Sequence, residues 1–202
     1  MFRRISGAPT ESLCEYLKQI GIDAEVLPSG SPEEIGGYRT FRSGGSNAGC
    51  IKVKGQNVDL VQLLLRGMTG PLGAAGDFDA HFVVRGNVEG KEKQLKAKAK
   101  EKKEGFVKKK LVDVKWEGGR LAELLNQDGE LTNLLVKAGE SPEIELDQKQ
   151  QCVRVATYLP SKTKGISIGP IPTVGKTEFE FPSRELVEAC DRIGKHIRSL
   201  LV

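Results

Sequence analysis

The chain has 202 residues, with 31 Lys and Arg against 27 Asp and Glu and a formal net charge of +4. A chain of this length lies between one domain and two, and it can bury a core without help from a metal or disulfides. The longest apolar runs, such as residues 63–65, are far too short to cross a bilayer, and the N-terminal residues lack the apolar stretch of a signal peptide. We therefore expect a soluble, cytoplasmic protein without a transmembrane segment.

In the first half of the chain, apolar residues at helical spacing predict a helix over residues 10–20, with Thr10 as its N-cap. Strands are expected over residues 22–27, 38–42, 50–53 and 77–84, with a loop at residues 43–49. Residues 58–65 are compatible with either a buried strand or a helical turn. The Gly-rich residues 67–76 predict a loop, which could act as a lid.

The second half begins with a predicted strand over residues 111–116, followed by Leu-rich helices over residues 120–126 and 129–137. Asp128 is suited to cap the second of these helices and Gly139 to end it. Alternating apolar residues then predict a β-hairpin over residues 142–160. The last helix begins after Ser183, and its apolar stripe is formed by Leu186, Cys190, Ile193, Ile197, Leu200 and Leu201.

This order of elements predicts an α+β fold with mostly antiparallel strands and flanking amphipathic helices. We expect two small lobes, at residues 1–88 and 111–202, joined by a basic helical linker at residues 89–110. The four cysteines, Cys14, Cys50, Cys152 and Cys190, are widely spaced and include no C-x-x-C pair. They predict reduced, buried thiols and give no signal for zinc.

The compositional outlier is a Lys-rich segment, residues 91–110, which holds ten Lys against three Glu and so carries a net charge of +7. Because the whole chain carries only +4, the remainder is mildly acidic. Lys, Ala, Gln and Glu are good helix formers, so residues 88–104 are predicted to be helical. The cations are Lys91, Lys93, Lys96, Lys98, Lys100, Lys102, Lys103, Lys108, Lys109 and Lys110.

Two interpretations of this segment stay open. Clustered Lys side chains can neutralise phosphates and release counterions, which would make the segment a binding face for nucleic acid or another polyanion. The segment has no Arg and only Phe106 as an aromatic, so such binding would be non-specific. The alternative is a solvated helical linker whose charges serve solubility.

Asp77, Asp79 and His81 alternate with apolar residues on one predicted strand, so their side chains point to the same face. Two carboxylates and an imidazole on one face are able to hold a divalent metal or to act as an acid–base pair. A half-buried strand with a polar outer face explains the same alternation without any site.

Residues 169–177 resemble a phosphate-binding loop, but five residues separate Gly169 from Gly175 where the motif has four. Pro170 and Pro172 remove backbone donors, and a strand rather than a helix is predicted to follow. We expect no nucleotide site there.

Two hypotheses follow. The first is a non-enzymatic binding protein that engages nucleic acid or an acidic protein through residues 91–110, with no cofactor. The second is a metal-dependent hydrolase that uses Asp77, Asp79 and His81, and only this hypothesis requires a divalent metal.

Overall fold

The structure is a computed structural model that describes residues 9–40, 44–66, 77–106, 109–164 and 176–201. The described helices are α1 (Pro9–Gln19), α2 (Glu92–Leu95), α3 (Arg120–Gln127), α4 (Gly129–Ala138) and α5 (Arg184–Leu201). The strands are β1 (Asp23–Val26), β2 (Tyr38–Arg39), β3 (Gly44–Lys54), β4 (Leu60–Leu65), β5 (Phe78–Arg85), β6 (Ala97–Glu104), β7 (Lys110–Gly118), β8 (Glu143–Asp147), β9 (Cys152–Leu159), β10 (Ser161–Lys164) and β11 (Lys176–Phe179). No helix within these ranges is long and apolar enough to span a membrane.

The strands form one seven-stranded sheet and two separate strand pairs. The order in the large sheet is β1-β3-β4-β5-β9-β8, with β2 paired to β3, and the two pairs are β6-β7 and β10-β11. The pairings of β2 with β3, β6 with β7, β8 with β9 and β10 with β11 are all antiparallel. The predicted α+β class is thereby confirmed.

Strands β4 and β5 are buried along almost their whole length. The near-continuous apolar run of β4 explains its burial, because a strand covered on both faces is rich in apolar residues on both. Residues 58–65 were ambiguous from sequence, and most of them form this strand. The predicted loop at residues 43–49 was wrong, because β3 begins at Gly44.

The chain divides into two compact units, and each unit combines three stretches of sequence. The division into lobes at residues 1–88 and 111–202 stays a prediction, and the compact units follow different boundaries. The first unit comprises Met1–Lys52, Gln62–Ala80 and Tyr158–Phe181, and the second comprises Val53–Val61, His81–Thr157 and Pro182–Val202.

In the first unit, α1 packs against β1 and buries Leu13, Cys14 and Leu17. Thr10, predicted as the cap of this helix, instead lies within it, and its hydroxyl donates a hydrogen bond to the carbonyl of Ala48. The ring of Tyr16 stacks on Phe181.

In the second unit, α5 packs against α3 and α4, as its apolar stripe requires. The Ser183 hydroxyl accepts a hydrogen bond from the Leu186 amide, which confirms the predicted cap. Gly194 lies so close to the segment before β4 that a Cβ atom would approach Val58 Cγ1 to 2.9 Å. Close packing therefore explains a glycine in the middle of this helix.

Asp128 joins α4 to α5. Its carboxylate accepts from the Leu131 amide at the start of α4, as predicted, and from Arg192 Nε at 2.6 Å, and it lies 2.8 Å from His196 Nε2. Burial acts to raise the pKa of Asp128, but the hydrogen bonds from Arg192 and His196 outweigh it and lower the pKa from 3.8 to about 2. Gly139 ends α4 in the left-handed conformation, with φ +83°, as predicted.

The hairpin formed by β8 and β9 contains a buried ion pair. Arg154 is fully buried, Asp147 is 4% exposed, and their closest atoms are 2.9 Å apart. Asp147 also accepts a hydrogen bond from the Gln150 amide in the turn. This pair links the two strands on the inside of the second unit.

All four cysteines are buried and free, which confirms the predicted thiols. Burial raises the pKa of the Cys152 thiol to about 11 and that of Cys190 well above its ordinary value. These two side chains are protonated at neutral pH and act as small apolar groups.

Candidate polyanion interface

Only a short part of the predicted Lys-rich helix is helical, and eight of its residues form a β-strand. Helix α2 covers only Glu92–Leu95, and Ala97–Glu104 forms β6, which pairs with β7 along its whole length. The helical prediction for residues 88–104 was therefore wrong outside Glu92–Leu95. We refer to residues 97–118 as the basic hairpin. Strand β7 supplies the Val and Trp residues that favour sheet structure, and pairing with it overrides the helix propensity of Lys and Ala.

One face of the basic hairpin packs on helices α3 and α4 of the same unit. Leu111, Val114 and Trp116 are buried, and β7 contacts α3 and α4. Asn126 on α3 fixes the position of β7, because its side chain accepts from the Trp116 amide and donates to the Trp116 carbonyl, both at 2.8 Å.

Strand β6 is held by Glu101. Its carboxylate accepts hydrogen bonds from the Ser141 amide and hydroxyl, and Lys103 Nζ lies 2.6 Å away. Burial acts to raise the pKa of Glu101, but these hydrogen bonds outweigh it and lower the pKa below its ordinary value. Glu101 is therefore ionised at neutral pH and serves as a structural anchor.

The opposite face of β6 carries three exposed lysines, Lys98, Lys100 and Lys102, which we call the basic row. Alternate residues of a strand lie about 6.8 Å apart and point to the same side. The cross-strand partners are Glu117, Lys115 and Asp113, respectively. This face therefore presents four cations and two anions.

Lys100 lies directly opposite Lys115. Like charges at such a position destabilise a strand pair, so the arrangement is not explained by the stability of the hairpin. Glu117 offsets part of the repulsion, with an oxygen 3.3 Å from Lys100 Nζ. Both partners are more than half exposed, so this ion pair is weak and can be exchanged for another anion.

The turn of the basic hairpin presents an aromatic ring to solvent. Phe106 is 104% exposed and follows Gly105, whose φ of +122° favours glycine. Lys109 and Lys110 are exposed on the β7 side of the turn, whereas Lys108 lies outside the described residues. The one aromatic residue of the Lys-rich segment is thus placed among its cations.

The remaining predicted cations lie before the hairpin. Lys93 and Lys96 are exposed at α2, while Lys91 Nζ donates to the carbonyl of Leu200 near the end of α5. Lys91 thus has a structural role, because a cation at a helix C-terminus stabilises the helix. Lys103 is exposed and paired with Glu101.

The predicted strand with Asp77, Asp79 and His81 is β5, but it does not have a polar outer face. Asp79 is 1% exposed and His81 is fully buried, as are the apolar residues between and after them. The expectation of a half-buried strand was therefore wrong. Asp79 and His81 also belong to different compact units.

The Asp79 carboxylate accepts hydrogen bonds from other residues of this chain. Its Oδ2 accepts from the Gly44 amide at 2.6 Å and from Arg66 Nε at 2.7 Å. Gly44 has φ +92°, and a Cβ atom there would approach the Tyr38 carbonyl oxygen to 2.0 Å, so only glycine can bring this amide to the carboxylate.

Asp77, just before β5, accepts a hydrogen bond from the Tyr158 hydroxyl. This bond raises the pKa of Tyr158 to about 12, with burial adding to the effect. The Arg66 guanidinium lies 5.0 Å above the Tyr158 ring. Sequence reasoning missed Arg66 and Tyr158, because neither is near the aspartates in a recognisable motif.

Within the described ranges, no group of three or more His, Cys, Asp or Glu side chains is arranged to hold a metal ion. The metal-dependent hydrolase stays a prediction and gains no supporting observation. Residues 67–76, the predicted lid, and residues 169–175 of the motif-like loop lie outside the described residues, and the strand expected after that loop is present as β11.

The chain matches no protein-family model, no curated protein and no solved structure.

Proposed function

We propose that this chain is a non-enzymatic binding protein whose basic hairpin engages the phosphate backbone of nucleic acids without sequence specificity. The observation that carries the proposal is the basic row, three exposed lysines on one face of β6, a strand that pairs with the partly buried β7 and whose Glu101 is hydrogen-bonded to Ser141. Each lysine that neutralises a phosphate releases a counterion, and this release drives non-specific binding.

The electrostatics of the hairpin support this function. The ion pairs of the basic row, such as Lys102 with Glu104 at 3.0 Å, are formed by exposed side chains and contribute little to stability. The lysines can therefore exchange these carboxylates for phosphates at small cost. Lys102 is charged at physiological pH, and the hydrogen bond from Lys102 to Glu104 raises its pKa further above the ordinary value.

The proposal is tested by fluorescence anisotropy with a labelled mixed-sequence RNA of about 20 nucleotides, longer than the roughly 4–16 nucleotides that one binding domain covers. The variant Lys98→Gln/Lys100→Gln/Lys102→Gln removes the basic row. We expect it to bind about tenfold or more weakly at about 50 mM salt.

A matched control removes the same charge elsewhere in the second unit. Lys137, Lys149 and Lys195 are exposed and lie outside the hairpin, so Lys137→Gln/Lys149→Gln/Lys195→Gln has the same net charge as the test variant. We expect the control to retain most of the wild-type affinity. Equal losses in both variants, or no binding by the wild type at low salt, would show that the hairpin is not the interface.

A further inference from the structure

The basic hairpin combines its cations with one fully exposed aromatic ring. Phe106 lies four residues beyond Lys102, after the register shift at Lys102 and Lys103, and Lys109 and Lys110 lie on the other side of the turn. Exposed side chains of this size are common singly on protein surfaces, so exposure alone indicates no ligand. The significance of Phe106 comes from the charge around it.

We infer that the hairpin selects single-stranded nucleic acid, with the basic row neutralising successive phosphates and Phe106 stacking on an unpaired base. The inference rests on the proposed function and names its substrate class. Stacking on an aromatic side chain tolerates every base, because each base has a π-face. A site with one aromatic ring and lysines only therefore agrees with binding that does not read sequence.

The shape of the charged surface favours a linear ligand. The basic row follows one strand, while the neighbouring strand carries Asp113 and Glu117 on the same face. A flexible polyanion can follow β6 and replace Glu117 at Lys100, because that ion pair is exposed and weak. A flat anionic membrane would meet the whole face together, and there the two carboxylates reduce the four positive charges to a net charge of +2.

A single strand also suits the exposed ring better than a duplex does. The bases of a duplex are stacked on each other, and inserting a side chain between them costs a few kcal/mol of unstacking. An unpaired base is available to Phe106 without that cost. Removing the Phe106 ring should therefore weaken binding to a single strand and should not change binding that depends on charge alone.

The experiment compares Phe106→Ala, Phe106→Trp and the wild type on four ligands: a single strand of deoxythymidine of about 20 nucleotides, a duplex of the same length, inorganic polyphosphate, and phosphatidylserine–phosphatidylcholine vesicles. Loss of one stacking contact of about 1–3 kcal/mol predicts that Phe106→Ala binds the single strand about 5- to 150-fold more weakly. Its affinity for polyphosphate should stay within about twofold, because polyphosphate has no bases.

Phe106→Trp provides a spectroscopic readout of stacking. The chain contains one other tryptophan, Trp116, which is buried. We expect Phe106→Trp to retain single-strand affinity and its added fluorescence to be quenched by the single strand and not by polyphosphate.

The outcomes separate this inference from the proposed function. If polyphosphate and single strands bind but Phe106→Ala weakens neither, the stacking inference is overturned and the polyanion interface stands. If Phe106→Ala loses binding to phosphatidylserine–phosphatidylcholine vesicles and not to single strands, the ring is a membrane contact and the inference is also overturned. If no polyanion binds the wild type, the proposed function fails and the inference fails with it.

Discussion

Two antiparallel hairpins of this chain use charge in opposite ways. In the hairpin of β8 and β9, Arg154 and Asp147 are buried against each other and withdrawn from water. In the basic hairpin, Lys98, Lys100 and Lys102 are exposed and their ion pairs are open to solvent. A buried charge is strongly destabilising when it loses its partner, whereas an exposed charge can change partners freely. The first hairpin should thus depend on its charges for folding, and the second should be free to use them for binding.

The largest effect should come from breaking the buried pair. Asp147→Ala leaves Arg154 buried without this carboxylate, and we expect the free energy of unfolding to fall by about 3–5 kcal/mol. Urea unfolding followed by the fluorescence of Trp116, the one tryptophan, measures this loss. The control Asp147→Leu/Arg154→Met removes both charges and should recover much of the stability. A loss below about 1 kcal/mol for Asp147→Ala would mean that the Asp147–Arg154 pair contributes no more to stability than an exposed ion pair does.

Asp128 should give an intermediate effect that depends on pH. Its folded pKa of about 2 lies below the ordinary 3.8, so the stabilisation is fully present above about pH 4 and is lost as the pH falls towards 2. A shift of this size corresponds to about 2 kcal/mol. Asp128→Asn replaces the aspartate with an uncharged residue that also caps helices well. The stability of this variant should therefore fall less than that of the wild type between pH 4 and pH 2.

Thermal unfolding of the wild type and Asp128→Asn across that pH range measures the difference. Other carboxylates titrate in both proteins, so the difference between the two curves isolates Asp128. Parallel curves would mean that Arg192 and His196 do not stabilise the ionised carboxylate.

The smallest effect on stability should come from the basic row. Lys98→Gln/Lys100→Gln/Lys102→Gln removes weak surface pairs together with the repulsion between Lys100 and Lys115. We expect the free energy of unfolding to change by less than about 1 kcal/mol in either direction. Urea unfolding of the triple variant and of Asp147→Ala measures the two losses of stability side by side. A loss as large as that of Asp147→Ala would mean that the lysines hold the hairpin together.

The class of fold and most elements could be predicted from local patterns. The apolar stripe of α5 is recognised by its helical spacing. The ends of helices are recognised by residue type, with Ser183 at the start of α5 and Asp128 and Gly139 at the ends of α4. The Lys-rich segment was mispredicted because its residues favour helices and its partner strand comes later in the chain. The alternation of Ala97 and Ala99 with Lys98 and Lys100 was the available signal for a strand, with β7 as its partner.

The surroundings of the aspartates could not be predicted in the same way. The alternation in β5 correctly assigns polar and apolar residues to opposite faces of the strand, but it does not show that both faces are buried. The hydrogen bond from Gly44 to Asp79 and that from Tyr158 to Asp77 join positions far apart in sequence. The exposure of Phe106 likewise depends on the turn between β6 and β7 and not on its neighbours in sequence.

The central claim, that exposed lysines of the basic hairpin bind phosphates, is tested most directly by the salt dependence of single-strand affinity. Between about 50 and 200 mM salt, log K falls linearly with log salt concentration, with a slope of about −0.7 for each neutralised phosphate. The account predicts that Lys98→Gln/Lys100→Gln/Lys102→Gln makes this slope shallower by about 2 and that Lys137→Gln/Lys149→Gln/Lys195→Gln leaves it unchanged. Equal slopes for the wild type and the hairpin variant would contradict it.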